Sequence, residues 1–278
     1  EKIIPLTSLR GVAALAVIAM HYSETMQQIS SHRFPSLAPR GYLAVDVFFV
    51  LSGFIMGYTY LESFHLQSTW TAYCKFLAKR ATRILPLNAA ITIVLLAVAI
   101  VSSLFGIQSV RTVRPNHLAD DLVTNALLLP GLGIGHSLNW PAWSISVEFA
   151  AYFAFPLFLS IVFHPSKLVL AVTCAFAFIG LLGTSLTDIL GPGNMHNHPP
   201  PWRDLARCMS EFVLGLVVFR VYYSGKWASL FARDSIAIAI GVAILAVIIS
   251  RANDIFAMLL FPPLILAISL NSGYVAYQ

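Results

Sequence analysis

Long apolar runs dominate the chain, and short polar stretches separate them. A helix that spans a bilayer needs about 20 apolar residues, and within lipid only helices or closed barrels satisfy every backbone polar group. Runs of the observed length indicate helices. Eight spans are predicted, at residues 6–27, 42–61, 84–105, 142–163, 168–186, 204–223, 235–250 and 254–270. The pattern therefore predicts an all-α, polytopic membrane helical bundle that forms a single domain over residues 1–278.

A ninth apolar run, at residues 122–134, is shorter than the others. Its sequence, LVTNALLLPGLGI, is interrupted by a proline and two glycines. Both residue types break regular helices and favour turns. The run is therefore interpreted as a re-entrant or surface-lying segment and not as a full span.

The composition supports an integral membrane protein. Hydrophobic residues make up 58% of the chain and charged residues 10%, and the mean hydropathy is +0.78. Soluble domains carry roughly 25% charged residues, so this chain cannot cover a water-facing surface with its own polar groups. The net charge of +5 is expected to act through membrane orientation, and no nucleic-acid partner is expected. The three scattered cysteines match no disulfide framework and no metal-binding spacing.

Basic residues predict the orientation. With the N-terminus in the cytoplasm, the loop before the third span places Lys75, Lys79, Arg80 and Arg83 inside. Cytoplasmic loops of membrane proteins are enriched in Lys and Arg. The same basic group can bind phosphates, or it can be an ordinary positive-inside loop.

Three ionisable groups in predicted spans fall at a similar depth. At 1.5 Å per residue, His21 lies ~22 Å above the inner face of a ~30 Å hydrocarbon core. Asp46 lies ~6 Å and Glu148 ~10 Å below the outer face on the same scale. Charged groups inside a membrane are costly and usually functional. A shared site toward the outer side is therefore predicted.

Arg10 extends this polar line across the membrane. It precedes His21 by eleven residues, which places the two ~16 Å apart and within ~20° of each other around the helix axis. Such a stripe is expected to face protein or a water-filled cavity. Gly53 and Gly57 form a GxxxG pair, which permits close packing between helices. Such packing is one way in which Asp46 could be brought near His21.

Each of these residues also has a simpler interpretation. His21 can be a hydrogen-bonded packing residue, Asp46 a rim residue near the headgroups, and Glu148 the partner of a basic loop group. As chemistry, the His and the acids fit general base catalysis, in which a carboxylate orients the imidazole. Ser144, four residues before Glu148, is a conceivable nucleophile, although serines in membrane helices usually bond to their own backbone.

Several segments together resemble a known family. LRGVAALAVIAMH matches the R-x10-H pattern of the acyltransferase 3 family of multi-pass membrane enzymes, and GYLAVDVFFVLSGF is similar to the second-span signature of that family. KRATRILP resembles its basic stretch with a proline, WSISVEFAAYFAFP its W-S-x-S-V-E segment, and RCMSEFVLG a further segment. The matches occur in family order.

The resemblance, which covers residues 9 to about 216, implies a function. Members transfer an acyl group, often acetyl, from cytoplasmic acyl-CoA to a hydroxyl of an extracytoplasmic saccharide. By matching positions, Arg10 and His21 belong to the acyl-transfer site, and Asp46 and Glu148 to the essential acidic groups. The basic donor-side segment comprises Lys79, Arg80 and Arg83. A bacterial cytoplasmic membrane is the expected location. The sequence does not determine the oligomeric state.

The chain departs from the family pattern in two places. LPLNAA carries no aromatic residue soon after Pro86. Members also have about ten helices, whereas this chain ends at NSGYVAYQ after eight predicted spans, so it is expected to lack C-terminal helices.

A rival interpretation comes from another functional class. In a proton-coupled transporter, the His, Asp and Glu would form a proton relay. The spans of this chain show no obvious internal symmetry of the kind that such transporters carry.

Overall fold

The computed structural model describes residues 3–29, 40–66, 69–105, 117–190 and 201–271. These residues form α-helices and short turns, and no strand occurs among them. The helices are α1 (Ile4–Ile29), α2 (Leu43–Leu66), α3 (Thr69–Leu104), α4 (Leu118–Ala126), α5 (Trp143–Val162), α6 (Lys167–Leu190), α7 (Pro201–Ser224), α8 (Ala228–Phe231), α9 (Asp234–Ser250) and α10 (Asp254–Leu270).

The predicted all-α membrane fold is confirmed. Helices α1, α2, α3, α5 and α6 are long and apolar enough to cross a membrane. Three further helices coincide with the remaining predicted spans. Of these, α9 and α10 are apolar but have 17 residues each, and α7 carries several charged side chains. The segment 122–134 forms no spanning helix, because α4 ends at Ala126 and a short 3-10 turn, Pro130–Leu132, follows.

The predicted loop before the third span is instead helical. α3 begins at Thr69, fifteen residues before the predicted start at residue 84, and includes Lys75, Lys79, Arg80 and Arg83. Lys, Arg, Ala and Leu are strong helix formers, so a charged stretch extends the apolar helix without a break. Its 36 residues correspond to a length of about 54 Å, well beyond a ~30 Å hydrocarbon core.

The chain divides into two compact units. The first unit comprises Glu1–Leu61, Leu157–Gly193 and Met209–Gln278, and the second comprises Glu62–Pro156 and Asn194–Cys208. The expected single domain over residues 1–278 stays a prediction.

In the first unit, α2 packs closely on α7 through glycines. A Cβ atom at Gly53 would overlap the carbonyl oxygen of Phe212, and one at Gly215 would overlap that of Val50. A Cβ at Gly57 would meet the ring of Phe219. The GxxxG pair therefore serves the contact with α7, and the suggestion that it draws α2 toward α1 was wrong. The motif predicts a close approach but does not identify the partner helix.

Two arginines of the first unit are bound to helix ends. Arg40 donates to the carbonyl oxygen of Ala252 (2.7 Å), just after α9, and pairs with Asp254 at 3.1 Å. Arg220 donates to the carbonyl oxygens of Val162 and, at 3.0 Å, of His164 at the end of α5. Cations are favourable at helix C-termini, where carbonyl groups lack helical partners.

In the second unit, a buried amide organises the turn that leads into α5. The Asn125 side chain donates to the carbonyl oxygens of Asp121 and His136, each at 2.7 Å, and accepts from the backbone N–H of Leu138 at 2.8 Å. Asn88 of α3 donates to the carbonyl oxygen of Asn125 at 2.7 Å. These bonds satisfy backbone groups that would otherwise be buried without partners, and they connect α3, α4 and the turn before α5.

Candidate active site

His21 lies near the end of α1 and is partly exposed. Its Nδ1 atom is 3.2 Å from Oε2 of Glu24, and the two side chains are 37% and 41% exposed. Glu24 is not among the residues predicted from the sequence. Its i,i+3 spacing from His21 on one helix was the signal that identifies such a pair.

Asp46 lies in the first turn of α2 and is fully buried. The chain just before this turn packs on α1, because a Cβ at Gly41 would lie 2.5 Å from the carbonyl oxygen of Ala16 and 2.7 Å from the Cβ of Met20. Met20 directly precedes His21. The first turn of a helix favours a carboxylate, since its N–H groups carry partial positive charge. Asp46 is buried within the protein, and its depth in the membrane stays a prediction.

Arg10 lies on α1, eleven residues before His21, and is half-buried. α1 is continuous from Ile4 to Ile29, so the helical relation between Arg10 and His21 holds. The two residues therefore share a face of α1.

Glu148 and Arg80 are connected through Tyr152. The Tyr152 hydroxyl donates to Oε1 of Glu148 at 2.7 Å, one turn along α5. The Arg80 guanidinium lies 5.9 Å from the ring centroid of Tyr152 and 5.9 Å from that of Phe76. A cation at this distance from an aromatic face is attracted by the electrons of the ring. A predicted donor-side cation and a predicted essential acid thus share one neighbour.

The other basic candidates are differently placed. Lys79 and Arg83 are exposed on α3, whereas Arg80 is half-buried. Tyr152 itself was missed from the sequence, although its i,i+4 spacing from Glu148 allows a local pair. The contact with Arg80 is tertiary, and no local spacing predicts it.

Ser144 is bonded to the backbone, as serines in membrane helices usually are. Its hydroxyl donates to the carbonyl oxygen of Pro141 at 3.3 Å. A nucleophilic hydroxyl requires a neighbouring base, and within the described part of the chain the Ser144 hydroxyl is bonded to a backbone carbonyl instead.

The predicted site residues fall into two groups. Arg10, His21 and Asp46 belong to the first unit, whereas Lys79, Arg80, Arg83 and Glu148 belong to the second. Within each unit the structure places the candidates on packed helices, α1 with the start of α2 in the first and α3 with α5 in the second. The convergence of His21, Asp46 and Glu148 in one pocket stays a prediction.

An apolar groove in the first unit offers no competing chemistry. It encloses about 630 Å³ between the end of α5, α6 and α7. Among the described residues, its lining includes two hydroxyls, of Thr173 and Ser210, and no ionisable group. Such a surface suits lipid or a packing partner better than acid–base catalysis.

The geometry and the sequence pattern together define a multi-helix membrane protein that carries a histidine, a buried aspartate, a glutamate bonded to a tyrosine, and basic groups. A family model described as "Acyltransferase domain" matches residues 5–274. The chain therefore belongs to the acyltransferase 3 family. The match extends beyond the segments 9–216 that carried the resemblance in the sequence.

Three individual relatives match the chain, and two of them are named as acyltransferases. The chain is 30% identical over 245 residues to acyltransferase MdmB of Streptomyces mycarofaciens, and the matched region covers 80% of this chain and 58% of that protein. It is 32% identical over 158 residues to protein 2 in the picA locus of Rhizobium radiobacter, covering 53% and 78%. It is 27% identical over 172 residues to peptidoglycan O-acetyltransferase OatA of Listeria monocytogenes serovar 1/2a, covering 57% and 24%. No solved structure matches the chain significantly.

Proposed function

We propose that this protein transfers an acyl group, expected to be acetyl, from acyl-CoA to a hydroxyl group of a saccharide on the far side of the membrane. The observation that carries the proposal is the family match over residues 5–274. The named relative OatA, a peptidoglycan O-acetyltransferase, supports a cell-surface glycan as the acceptor. The chain spans 58% of MdmB and 24% of OatA, so the activity of the whole protein is part of the proposal.

In the direct route of the proposed reaction, in which acyl-CoA itself reaches the site, His21 removes the proton of the acceptor hydroxyl. The resulting oxygen attacks the thioester carbonyl of acyl-CoA, a C–O bond forms, and the C–S bond breaks. The proton on His21 then passes to the departing CoA thiolate. Glu24 contacts Nδ1 of His21 at 3.2 Å, which leaves Nε2 for the acceptor and stabilises the imidazolium that forms.

The acidic groups assist this reaction. Asp46 stabilises the positive charge that develops on His21, and Glu148 binds the acceptor or assists the proton transfer. Burial strengthens the electrostatic effect of Asp46, because water screens a buried charge less than an exposed one.

The basic groups hold the donor. Arg10 and the α3 residues Lys79, Arg80 and Arg83 would bind the phosphates of CoA, with which guanidinium groups form charge-assisted hydrogen bonds. Donor and acceptor start on opposite sides of the membrane. Either the pantetheine arm reaches inward or an acyl intermediate carries the group across, and both routes are compatible with these residues.

The proposed location is a bacterial cytoplasmic membrane with the N-terminus inside. The orientation depends on basic residues that face the aqueous loops. The basic group Lys75, Lys79, Arg80 and Arg83, which precedes the third predicted span, supports this orientation.

The decisive experiment uses the protein reconstituted in vesicles, with radiolabelled acetyl-CoA and candidate glycans. We expect label to appear on a glycan, and His21→Ala to abolish the transfer without lowering the melting temperature. A fully active His21→Ala variant would remove His21 from the mechanism. Substrate uptake driven by a pH gradient, without dependence on CoA, would support the transporter instead.

A further inference from the structure

We propose that Tyr152 is a positioning residue that holds the acid with its hydroxyl and the donor-side cation with its ring. The inference depends on the proposed function, because it assigns roles to Glu148 and Arg80 in acyl transfer. Its basis is a set of contacts within the second unit, where α3 packs against α5.

The hydroxyl of Tyr152 fixes one oxygen of Glu148. The bond to Oε1 is 2.7 Å long, within the range of a charge-assisted hydrogen bond. A carboxylate on a helix can otherwise rotate among several rotamers. With Oε1 held, Oε2 has a defined direction and can accept a hydrogen bond from a substrate hydroxyl.

The ring of Tyr152 forms one half of a seat for Arg80. Phe76 forms the other half, and each ring centroid is 5.9 Å from the guanidinium carbon. Tyr152 and Phe76 are both buried, and their rings meet edge to face at 5.8 Å. The seat therefore restricts Arg80, while the exposed side chain of Lys79 has more freedom.

Packing by itself does not require a hydroxyl at this position. The surrounding aromatic core uses phenylalanine at Phe64, Phe76 and Phe155. Residue 152 adds a polar atom to this core, and that atom is bonded to Glu148. A buried hydroxyl is expensive unless it has a partner, so the pair is a built feature of the site.

The roles of the Tyr152 hydroxyl and of its ring can be tested separately. Tyr152→Phe keeps the ring and removes the hydroxyl, so we expect kcat to fall about ten- to a hundredfold, the worth of a hydrogen bond to a charged group. The KM for acetyl-CoA should stay unchanged, because Arg80 keeps its seat. Tyr152→Leu removes both features, and we expect the KM for acetyl-CoA to rise as well.

Tyr73→Phe is the matched control. The Tyr73 hydroxyl joins α3 to α5, because it donates to the carbonyl oxygen of Phe153 at 3.3 Å. Its hydrogen bond is not to Glu148, whereas that of the Tyr152 hydroxyl is. We expect this variant to keep both kcat and KM. If Tyr73→Phe and Tyr152→Phe lower kcat equally, the hydroxyl of Tyr152 has a structural role only and the inference is wrong.

A double-mutant cycle tests whether Tyr152 acts through Glu148. In a Glu148→Gln background, Tyr152→Phe should cause little further loss of kcat, because the carboxylate that it positions is gone. Additive losses would contradict the inference. The wild-type rate distinguishes the two proposals. An active wild type with an unaffected Tyr152→Phe variant overturns only the role of Tyr152, whereas a wild type inactive on every glycan overturns the proposed function and this inference with it.

Discussion

Helices α1 and α2 follow each other in the chain, but their candidate catalytic groups differ in how deeply they are buried. Of the most apolar stretch of α2, 67% is buried inside the protein, compared with 17% for α1. Asp46 on α2 is fully buried, whereas His21 on α1 is partly exposed and has a local partner, Glu24. Both helices are long and apolar enough to cross a membrane.

This difference in burial predicts different effects of substitutions on stability and on activity. A side chain at a closely packed position contributes to stability and function together, so its loss affects both. A partly exposed side chain can be changed with little structural cost. We therefore expect substitutions on α2 to lower stability as well as activity, and substitutions around His21 to lower activity only.

The largest expected effect comes from a methyl group at Gly53. In Gly53→Ala, the new Cβ would overlap the backbone carbonyl of Phe212 on α7, and backbone atoms cannot move aside cheaply. We expect a loss of at least about 1–3 kcal/mol in unfolding free energy, or failure to fold, from such overpacking. Thermal unfolding of the purified protein in detergent measures it.

Gly11→Ala on α1 is the matched control. A Cβ at Gly11 meets no atom of the described residues within 4 Å, so the change should be neutral or should stabilise by about 0.5–1 kcal/mol through helix propensity. Equal losses in the two variants would contradict the contrast between the helices.

The next effect compares Asp46→Asn with His21→Gln. Both changes remove a group of the proposed acid–base machinery, so acyl transfer should fall about 10²–10⁴-fold in each. The stabilities should differ. Asp46→Asn alters a fully buried polar group and should cost about 1–3 kcal/mol, whereas His21→Gln should stay within about 0.5 kcal/mol.

Unfolding curves and initial rates on the same preparations test this pair. The exposed Asp120, whose side chain is 80% exposed, supplies the control Asp120→Asn, which should match the wild type in both measurements. A stable, fully active Asp46→Asn variant would remove Asp46 from the proposed site.

Much of the fold followed from local patterns. Each of the eight apolar runs coincides with a helix, because the length and continuity of a run are properties of the sequence itself. The start of α3 was misplaced because hydropathy falls where Lys75, Lys79 and Arg80 occur, although these residues favour helix formation. Membrane boundaries and helix boundaries are therefore different quantities.

The site was less predictable because its contacts are tertiary. The spacing of Tyr152 and Glu148 permits a local bond, but no pattern indicates that Arg80 would lie over the same ring. The pair Gly53 and Gly57 predicts close packing and leaves the partner helix undefined. The burial of Asp46 likewise depends on neighbours that are distant in sequence.

The smallest expected effect concerns Glu24, which contacts His21 from the same helix, three residues further along the chain. Glu24→Gln keeps the shape and removes the charge at the carboxylate that lies 3.2 Å from His21. Exposed ion pairs contribute about 0–1 kcal/mol, so we expect the acyl-transfer rate to fall only about two- to fivefold, with no change in the melting temperature. Added salt should reduce the difference in acyl-transfer rate between the variant and the wild type, because it screens exposed charges.

A loss as large as that of His21→Gln would mean that Glu24 is an essential member of the site and that the environment of His21 is more sheltered than that of an exposed helix face. No loss at all would mean that the imidazole is oriented by other groups, with Asp46 on α2 as the first candidate.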